Sequence, residues 1–261
     1  MYAKRIGVSA VALCMMALVV LTCGRACADV LLKEDFEYTT GSNVDDHGWT
    51  QFDGIGTVEA KISDVKIDNG KSASSNQTTN NYRSTGFILY PMQAEDVVEM
   101  TWVEKLPEDK GDNQTQSGAA LWDAIPARGG VGGSFWRMYL ARNRYGEEGN
   151  YTYKYQYMCY AGEGGLISTL SNAGGWIDLP PEFGTHLDAK IEVTTTSAAY
   201  YLRKHGDTTW TRVWQYNNGM AAYIVTVEFT LWDGSNNSSY TYIDSIKVES
   251  NPGKKAINNE K

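Results

Sequence analysis

The sequence predicts an all-β protein built as a two-sheet antiparallel β-sandwich. From Asp29 to Ser250, short runs rich in Val, Ile, Thr, Tyr and Trp are broken by Gly, Asn and Asp about every ten residues. No long stretch keeps the apolar stripe of an amphipathic helix. Without crossover helices, the apolar face of one sheet has to be covered by another sheet, and no Pro/Gly/Ser-rich linker divides the chain. A single sandwich is therefore the simplest architecture, and two smaller sandwiches are the alternative.

Residues 1–28 have the pattern of a signal peptide. Lys4 and Arg5 precede an apolar run from Val8 to Leu21, and small residues end the segment at Ala28. A membrane anchor, the alternative, needs about 20 apolar residues, and this run is shorter. We therefore expect a signal peptide over 1–28, a sandwich domain over 29–250 and a polar tail over 251–261. The mature protein is expected to be secreted or periplasmic, with no membrane attachment.

The net charge indicates which partners the mature chain is not expected to bind, and the cysteine count indicates whether it can form a disulfide. The 261-residue sequence carries a net charge of −8, and cleavage would remove basic residues but no acidic ones. We therefore do not expect the chain to bind nucleic acid or anionic membrane surfaces. Cleavage would also leave Cys159 as the only cysteine, so no internal disulfide is expected. Cys159 lies in an apolar strand, which predicts a buried and unreactive thiol.

The strand predictions follow the apolar runs and the turn residues between them. Gly206-Asp207 predicts a hairpin, as do Asn69-Gly70 and Asn218-Gly219. Ala94–Lys105 also fits a helical spacing, but its Val, Thr and Trp content favours a strand. The predicted strands are Val30–Phe36, Thr57–Asp64, Val65–Asp68, Thr85–Tyr90, Val97–Glu104, Gly118–Trp122, Ser134–Arg142, Tyr151–Tyr160, Trp176–Leu179, Ala189–Thr195, Ala199–Lys204, Thr209–Tyr216, Tyr223–Trp232 and Tyr240–Val248.

The two ends of the predicted domain carry short motifs of a known fold superfamily. An Asp-Phe-Glu strand in Leu32–Tyr38 is followed by a Gly-containing loop and by Gly48-Trp49, and Tyr242–Val248 is a matching last strand. This arrangement resembles concanavalin A-like (laminin-G-like) jelly-roll domains of secreted bacterial proteins. The resemblance spans most of Asp29–Val248, and its motifs are short and degenerate. It implies a pair of curved antiparallel sheets, and it does not settle function.

The resemblance also implies a ligand and a metal. Many members of the superfamily are carbohydrate-binding modules, whose concave sheet binds oligosaccharide or polysaccharide, sometimes catalytically. Similar sandwiches often hold a structural calcium ion between carboxylates of the first and last strands, which correspond to Glu37 and Asp244. Asp35, Asp45 and Asp46 lie nearby in the sequence, and calcium binds six to eight oxygen ligands. The alternative is that these acids cap solvated strand ends, since the sequence has no Asp-x-Asp-x-Asp-Gly calcium loop.

The strongest residue-level signal for sugar binding is a stripe of tyrosines. In Tyr151–Met158 a tyrosine stands at every second residue, so alternation places all four tyrosines, including Tyr153 and Tyr155, on one face of a strand. A flat ring with a hydroxyl group suits the apolar face and polar rim of a pyranose. The stripe is therefore a candidate platform for an extended glycan. The alternative is that these tyrosines form the inward row of the sandwich.

Neighbouring strands supply three further candidates for the sugar groove. In the strand over Ser134–Arg142, Arg137 and Tyr139 alternate with an apolar row, so they are expected to join the tyrosines on the groove side. Trp122 is followed by an acidic residue and a Gly-rich loop, which predicts a position at the groove rim. The expected carbohydrate-binding set is therefore Tyr153, Tyr155, Arg137, Tyr139 and Trp122.

No catalytic constellation is evident. The Glu-x-Asp-x-Glu signature of laminarinase-like hydrolases on this fold is absent, although Glu192 and Glu228 could form a carboxylate pair from separate strands. A polysaccharide lyase set could be imitated by Tyr153, Lys154, Arg137 and His186, without the lyase motifs themselves. His47, His186 and His205 show no metal-ligand spacing.

The sequence therefore predicts a secreted, non-catalytic domain that binds an extracellular glycan. A glycan-degrading enzyme on the same fold is the first alternative. A structural or adhesive surface protein without a sugar site is the second.

Overall fold

The computed structural model describes ten segments of the chain: residues 28–51, 60–68, 70–75, 82–108, 114–125, 133–162, 170–171, 175–217, 222–233 and 240–252. Residues 1–27 of the predicted signal peptide lie outside them, as do the predicted Asn218-Gly219 turn and Asn69.

The described part of the chain is almost entirely β-structure, as expected, with short 3₁₀ turns at Val44–His47 and Pro181–Phe183. None of its helices is long and apolar enough to cross a membrane. The strands are β1 (Asp29–Glu34), β2 (Thr50–Gln51), β3 (Lys61–Ser63), β4 (Ser72–Ser74), β5 (Tyr82–Pro91), β6 (Asp96–Lys105), β7 (Thr115–Trp122), β8 (Phe135–Tyr145), β9 (Thr152–Gly162), β10 (Leu170–Ser171), β11 (Ile177–Asp178), β12 (His186–Val193), β13 (Ala198–Lys204), β14 (Thr211–Tyr216), β15 (Tyr223–Asp233) and β16 (Tyr242–Pro252).

The strands form two antiparallel sheets that pack face to face. Sheet A has the order β14-β13-β12-β6-β16-β4-β3, with β1 also paired to β16. Sheet B has the order β10-β9-β8-β7-β15-β5-β2, with β11 also paired to β9. Neighbours that are distant in sequence, such as β6 beside β16, give the non-sequential strand order of a jelly roll. The predicted two-sheet β-sandwich is therefore confirmed.

The main core lies between the two sheets, and each sheet also has an outer face turned away from it. Trp102 of sheet A and Trp136 of sheet B are both almost fully buried there. Met138 and Leu140 continue the inward row of β8. Cys159 also lies in this core, so the prediction that it is buried is confirmed, and burial raises the pKa of its thiol well above the usual value.

Several predicted boundaries differ from the structure. Val65–Asp68 is not a strand, whereas Ser72–Ser74 is β4 and pairs with both β3 and β16. The Ser-Ala-Ser segment lacks β-branched residues, so propensity could not identify it, but its small side chains fit a fully buried position. The segment Ala94–Lys105, whose spacing also fits a helix, contains strand β6, as predicted. The last strand continues to Pro252, two residues into the predicted tail.

Candidate functional site

The five predicted sugar-binding residues do not lie on one face. Tyr155 pairs with Arg142 on the core side of sheet B, its ring packs against the main core, and its hydroxyl donates to the Pro107 carbonyl at 2.8 Å. Tyr153 lies on the same side, where the Arg142 guanidinium stacks on its ring at 3.8 Å. The expectation that these tyrosines share a groove with Arg137 is therefore wrong. Alternation gives the periodicity of a strand but not which row faces inward.

Arg137, Tyr139 and Trp122 do lie together, on the outer face of sheet B. They surround Glu228 of β15, which is completely buried. Arg137 Nη2 donates to Glu228 Oε2 at 2.5 Å, and Trp122 Nε1 donates to the same oxygen at 2.6 Å. Arg83 Nε lies 3.7 Å from Glu228 Oε1. Burial alone would raise the pKa of Glu228, but the two guanidinium groups outweigh it and lower that pKa.

Aromatic rings enclose this ion pair. The Arg137 guanidinium lies 5.3 Å from the ring centre of Trp122, 5.1 Å from that of Phe135 and 5.3 Å from that of Tyr139. Gly118 makes room for Tyr139, because a Cβ at position 118 would come within 2.9 Å of the tyrosine ring and 2.1 Å of a backbone carbonyl. Trp122 is only 2% exposed, so the prediction that it sits at a rim is wrong.

The side chains proposed for catalysis are separated. Glu192 lies on β12 of sheet A and Glu228 on β15 of sheet B, so they do not form a carboxylate pair. Lys154 is exposed and paired with Asp178, whereas His186 belongs to sheet A. The topology therefore contradicts both the carboxylate pair that the sequence left possible and the lyase-like set.

An open groove lies on the outer face of sheet A, where the sequence predicted no sugar-binding residues. Its volume is about 680 Å³, within the range of ligand pockets. It runs from the end of β1, across β16, β6 and β12, to the turn between β13 and β14. Its lining residues are Lys33, Asp35, Glu37, Asp68, Thr101, Trp102, Val103, Asp188, Arg203, His205, Gly206, Asp207, Thr208, Trp210, Ser245 and Lys247. We call this cavity the Trp210 groove.

The position of Trp210 follows from the turn that precedes β14. Gly206 has a φ of +87°, a left-handed conformation that glycine adopts readily, and the Asp207 amide donates to the Lys204 carbonyl. Leu202 then pairs with Thr211, which brings Trp210 beside Arg203. The Arg203 guanidinium stacks on the indole ring at 4.2 Å, so this half-buried ring is held against the sheet.

Asp188 organises the polar floor of the groove. Its Oδ2 accepts a hydrogen bond from Arg203 Nε at 2.7 Å, and its Oδ1 accepts one from His205 Nδ1 at 2.6 Å. His205 Nε2 lies 4.0 Å from Asp68 Oδ1. Both His205 and Asp68 are about one-quarter exposed, so a ligand in the groove can reach them.

Two of the three histidines are neighbours in space. The His186 and His205 rings stack with centroids 4.1 Å apart, although their spacing in the sequence does not indicate a pair. His186 Nε2 donates to the Ile67 carbonyl at 2.5 Å, and burial together with His205 lowers the pKa of His186. This pair holds the 60–68 segment against sheet A beside the groove.

The residues suggested for calcium lie at one end of the same groove. Asp244 is 1% exposed, and its Oδ2 has no hydrogen-bond partner, whereas its Oδ1 accepts the Ser245 amide at 2.6 Å. Burial, together with the charges of Asp68, Asp35 and Glu37, raises the pKa of Asp244 to about 7. A buried, unpartnered carboxylate oxygen facing other carboxylates is the chemistry that a hard cation satisfies.

The carboxylates suggested as calcium ligands are not close enough together to coordinate a metal ion in this arrangement. Within the described segments, no group of three or more His, Cys, Asp or Glu side chains is close enough to hold a metal ion. Glu37 is held by the Lys71 amide, which donates to its Oε1 at 2.6 Å. Mutual repulsion keeps such carboxylates apart without a cation, so binding would require Glu37 or Asp35 to move. The donor types fit calcium, and the arrangement needs small side-chain shifts.

Trp210 is the main residue that sequence reasoning missed. The sequence predicts the Gly206-Asp207 turn, but it also predicts one continuous strand over Thr209–Tyr216, in which Trp210 has no special position. The usable signal is that a tryptophan follows a hairpin turn by only three residues. Whether such a ring covers the sheet or points into solvent depends on the register of the hairpin.

Comparison with known proteins identifies the fold. The sequence matches no protein-family model and no curated protein. The structure is similar to a glycoside hydrolase family 16 endo-glucanase from Bacteroides ovatus, with a TM-score of 0.52 and 12% identity over 84% of this chain and 99% of that chain. It is also similar to the CBM2 module of the evolved Dit of Lactobacillus casei BL23 phage J-1, with a TM-score of 0.51 and 8% identity over 88% of this chain and 98% of that one.

A third similar structure is the endo-1,3-beta-glucanase from Streptomyces sioyaensis, with a TM-score of 0.50 and 11% identity over 85% of this chain and 96% of that chain. At these identities the similarity establishes the architecture and not the activity. The laminin-G-like part of the sequence resemblance stays a prediction. The two packed antiparallel sheets, their strand order and these neighbours together show that the chain has the concanavalin A-like jelly-roll fold.

Proposed function

We propose that this chain is a secreted, non-catalytic domain that binds an extracellular glycan in the Trp210 groove. The observation that carries the proposal is the combination of an open cavity, an indole ring at one wall and partly exposed hydrogen-bonding groups on the floor. A sugar ring presents an apolar C–H face and a rim of hydroxyl groups, so it needs both kinds of contact. The glucanases and the carbohydrate-binding module with the same fold support a carbohydrate ligand.

The non-catalytic part of the proposal rests on the state of the acidic groups. The ion pair that Glu228 forms with Arg137 lowers the pKa of Glu228. A general acid needs the opposite shift. In the Trp210 groove, Asp188 is hydrogen-bonded to Arg203 and His205 on both oxygens. These contacts suit a rigid binding site.

An enzyme is the second candidate, favoured by one observation. Asp68 lies in the same groove as the Asp188–His205 pair, and a histidine oriented by a carboxylate can act as a general base. Release of reducing ends or of unsaturated products from a polysaccharide would establish this alternative. Absence of any product, with retention of the polysaccharide, supports the binding domain.

The test of the binding site is a polysaccharide retention assay with the mature chain. We expect Trp210→Ala to weaken retention by about tenfold or more, because a tryptophan that stacks on a ligand is often a dominant contact. Trp210→Phe is expected to keep part of the affinity, since an aromatic face remains. Affinity electrophoresis in gels containing each polysaccharide measures the change.

A matched control separates stacking from general effects of losing an aromatic residue. Tyr223 on sheet B is 51% exposed and lies outside the groove, so Tyr223→Ala should leave retention unchanged. Equal retention by wild type and Trp210→Ala, with both proteins folded by circular dichroism, would remove the groove as the site. Retention of no glycan by the wild type would favour a structural or adhesive protein.

We also propose that a structural calcium ion binds Asp244 and Glu37, with Asp35 and Asp68 completing the acidic site. Calcium would neutralise the carboxylates and satisfy the orphan oxygen of Asp244. We therefore expect millimolar calcium to raise the melting temperature of the wild type by several degrees relative to EDTA, because a ligand that binds only the folded state stabilises it.

Asp244→Asn provides the control for this effect. The variant loses the buried charge, so in EDTA it should melt at or above the wild-type temperature, whereas calcium should no longer raise its melting temperature. Magnesium should act weakly on the wild type, because it requires tighter octahedral geometry. An equal calcium response of both proteins in differential scanning fluorimetry would contradict the proposed site.

A further inference from the structure

We infer that the Trp210 groove takes glycans without acidic groups and excludes polysaccharides that carry carboxylate or sulfate groups. The inference rests on the proposed glycan-binding function and adds the chemical class of the ligand. Its basis is the charge of the groove lining and the way that charge is paired.

Acidic side chains outnumber basic ones in the groove. Five carboxylates line it, and only three side chains of lysine or arginine do so. The acidic members are Asp35, Glu37, Asp68, Asp188 and Asp207, and the basic members are Lys33, Arg203 and Lys247. Buried Asp244 adds one more carboxylate behind the lining. A bound calcium ion would reduce this negative excess without reversing it.

The three cations are already engaged by acids of the chain itself. Lys33 Nζ lies 2.6 Å from Asp35 Oδ2, and Arg203 Nε lies 2.7 Å from Asp188 Oδ2. Lys247 Nζ lies 2.8 Å from Glu249 Oε1. An acidic sugar would have to compete for these cations, because each already has an anionic partner.

The groove carboxylates that form no ion pair with a lysine or arginine lie where a bound ligand would be close to them. Within the described part of the chain, Glu37, Asp68 and Asp207 form no ion pair with a lysine or arginine. Asp207 is exposed in the turn that carries Trp210, and Asp68 is on the opposite side of His205 from Asp188. A ligand stacked on Trp210 therefore sits in a negative field. Protonated amino groups on the sugar would be favoured there, and carboxylates opposed.

The test compares one glycan with its own oxidised form. The neutral polysaccharide that the wild type binds best is oxidised selectively at the C6 hydroxymethyl group to a carboxylate, and affinity is measured by calorimetry at pH 8, above the usual titration range of histidine. We expect the oxidised form to bind about tenfold more weakly at low ionic strength, a change of about 1.4 kcal/mol, because like charges a few ångströms apart repel each other even in water. The same ranking is expected in EDTA and in calcium.

Salt dependence distinguishes repulsion from loss of a hydroxyl contact. Repulsion in an exposed groove is screened, so the affinity ratio of neutral to oxidised glycan should approach one in about 0.5 M salt. A ratio that does not respond to salt would overturn the inference, as would equal or tighter binding of the oxidised glycan at low salt. Binding of no neutral glycan by the wild type would instead contradict the proposed function itself.

A single-charge variant gives a second readout. Asp207→Asn removes one exposed carboxylate from the groove, so the neutral-to-oxidised ratio should fall by several-fold. Glu95→Gln removes an equal charge from an exposed turn outside the groove and should leave the ratio unchanged. If both variants change the ratio equally, the net charge of the protein and not the groove would be responsible.

Discussion

Arg137→Met is expected to destabilise the protein by about 3 kcal/mol or more, because removing one partner of a buried ion pair leaves an uncompensated charge. Glu228 is completely buried and has its shortest contact with the Arg137 guanidinium. The substitution also removes the cation from three surrounding aromatic rings. Urea denaturation at pH 7, followed by tryptophan fluorescence, measures the change in the free energy of unfolding.

The pH dependence of the stability lost in Arg137→Met shows whether the unpaired Glu228 carboxylate causes the loss. In the wild type, the guanidinium groups lower the pKa of Glu228, so its contribution to stability is present at neutral pH and is lost as the pH falls through the folded-state pKa. Without Arg137 the pKa should rise, and the variant should therefore lose most stability at high pH. Glu228→Gln in the Arg137→Met background should recover a large part of it. If the unfolding free energy of Arg137→Met lies within about 1 kcal/mol of the wild-type value, the Arg137–Glu228 ion pair does not stabilise the fold.

Glu104→Gln is expected to make the protein more stable than wild type above pH 7, by about 3 kcal/mol at most. Glu104 is fully buried between the sheets, and this burial raises its pKa from 4.5 to about 7. A raised carboxyl pKa means that its stabilising contribution is complete below pH 4.5 and is lost as the pH rises through about 7. Glutamine cannot ionise, so the variant escapes this loss.

A glutamine at position 104 can form hydrogen bonds with the same neighbours as Glu104. Glu104 accepts hydrogen bonds from Trp102 Nε1 and from the Ser117 hydroxyl, and Ser117 lies 2.6 Å from the Thr241 hydroxyl. A glutamine amide can donate to Ser117 when that hydroxyl donates onward to Thr241. The difference in unfolding free energy between variant and wild type should therefore grow between pH 5 and pH 8. A constant difference across this range would show that Glu104 does not titrate with the raised pKa.

The fold was predictable because it depends on a pattern that is repeated along the whole chain. Period-two alternation marked the long strands such as β6, β8 and β15, and the end motifs gave the superfamily. Short strands were the exception. Ser72–Ser74 is held by its neighbours β3 and β16 and not by its own propensity, so only tertiary structure reveals it.

The candidate site was less predictable, because it depends on which row of a strand faces inward. Alternation correctly separated Arg137 from Trp136, but it could not show that Tyr155 belongs to the same row as the core. The Trp210 groove combines strands that are far apart in sequence, with Asp188 and Ser245 on opposite sides of β6. Such a juxtaposition is set by sheet topology, which no local motif encodes.

A crystal structure of residues 29–261 with an oligosaccharide of the best-retained polysaccharide would locate the binding site directly. We expect electron density for a sugar ring stacked on Trp210, with its hydroxyl groups within hydrogen-bond distance of Asp68 or His205. A sugar bound instead on the outer face of sheet B, beside Arg137 and Tyr139, would contradict the location of the site.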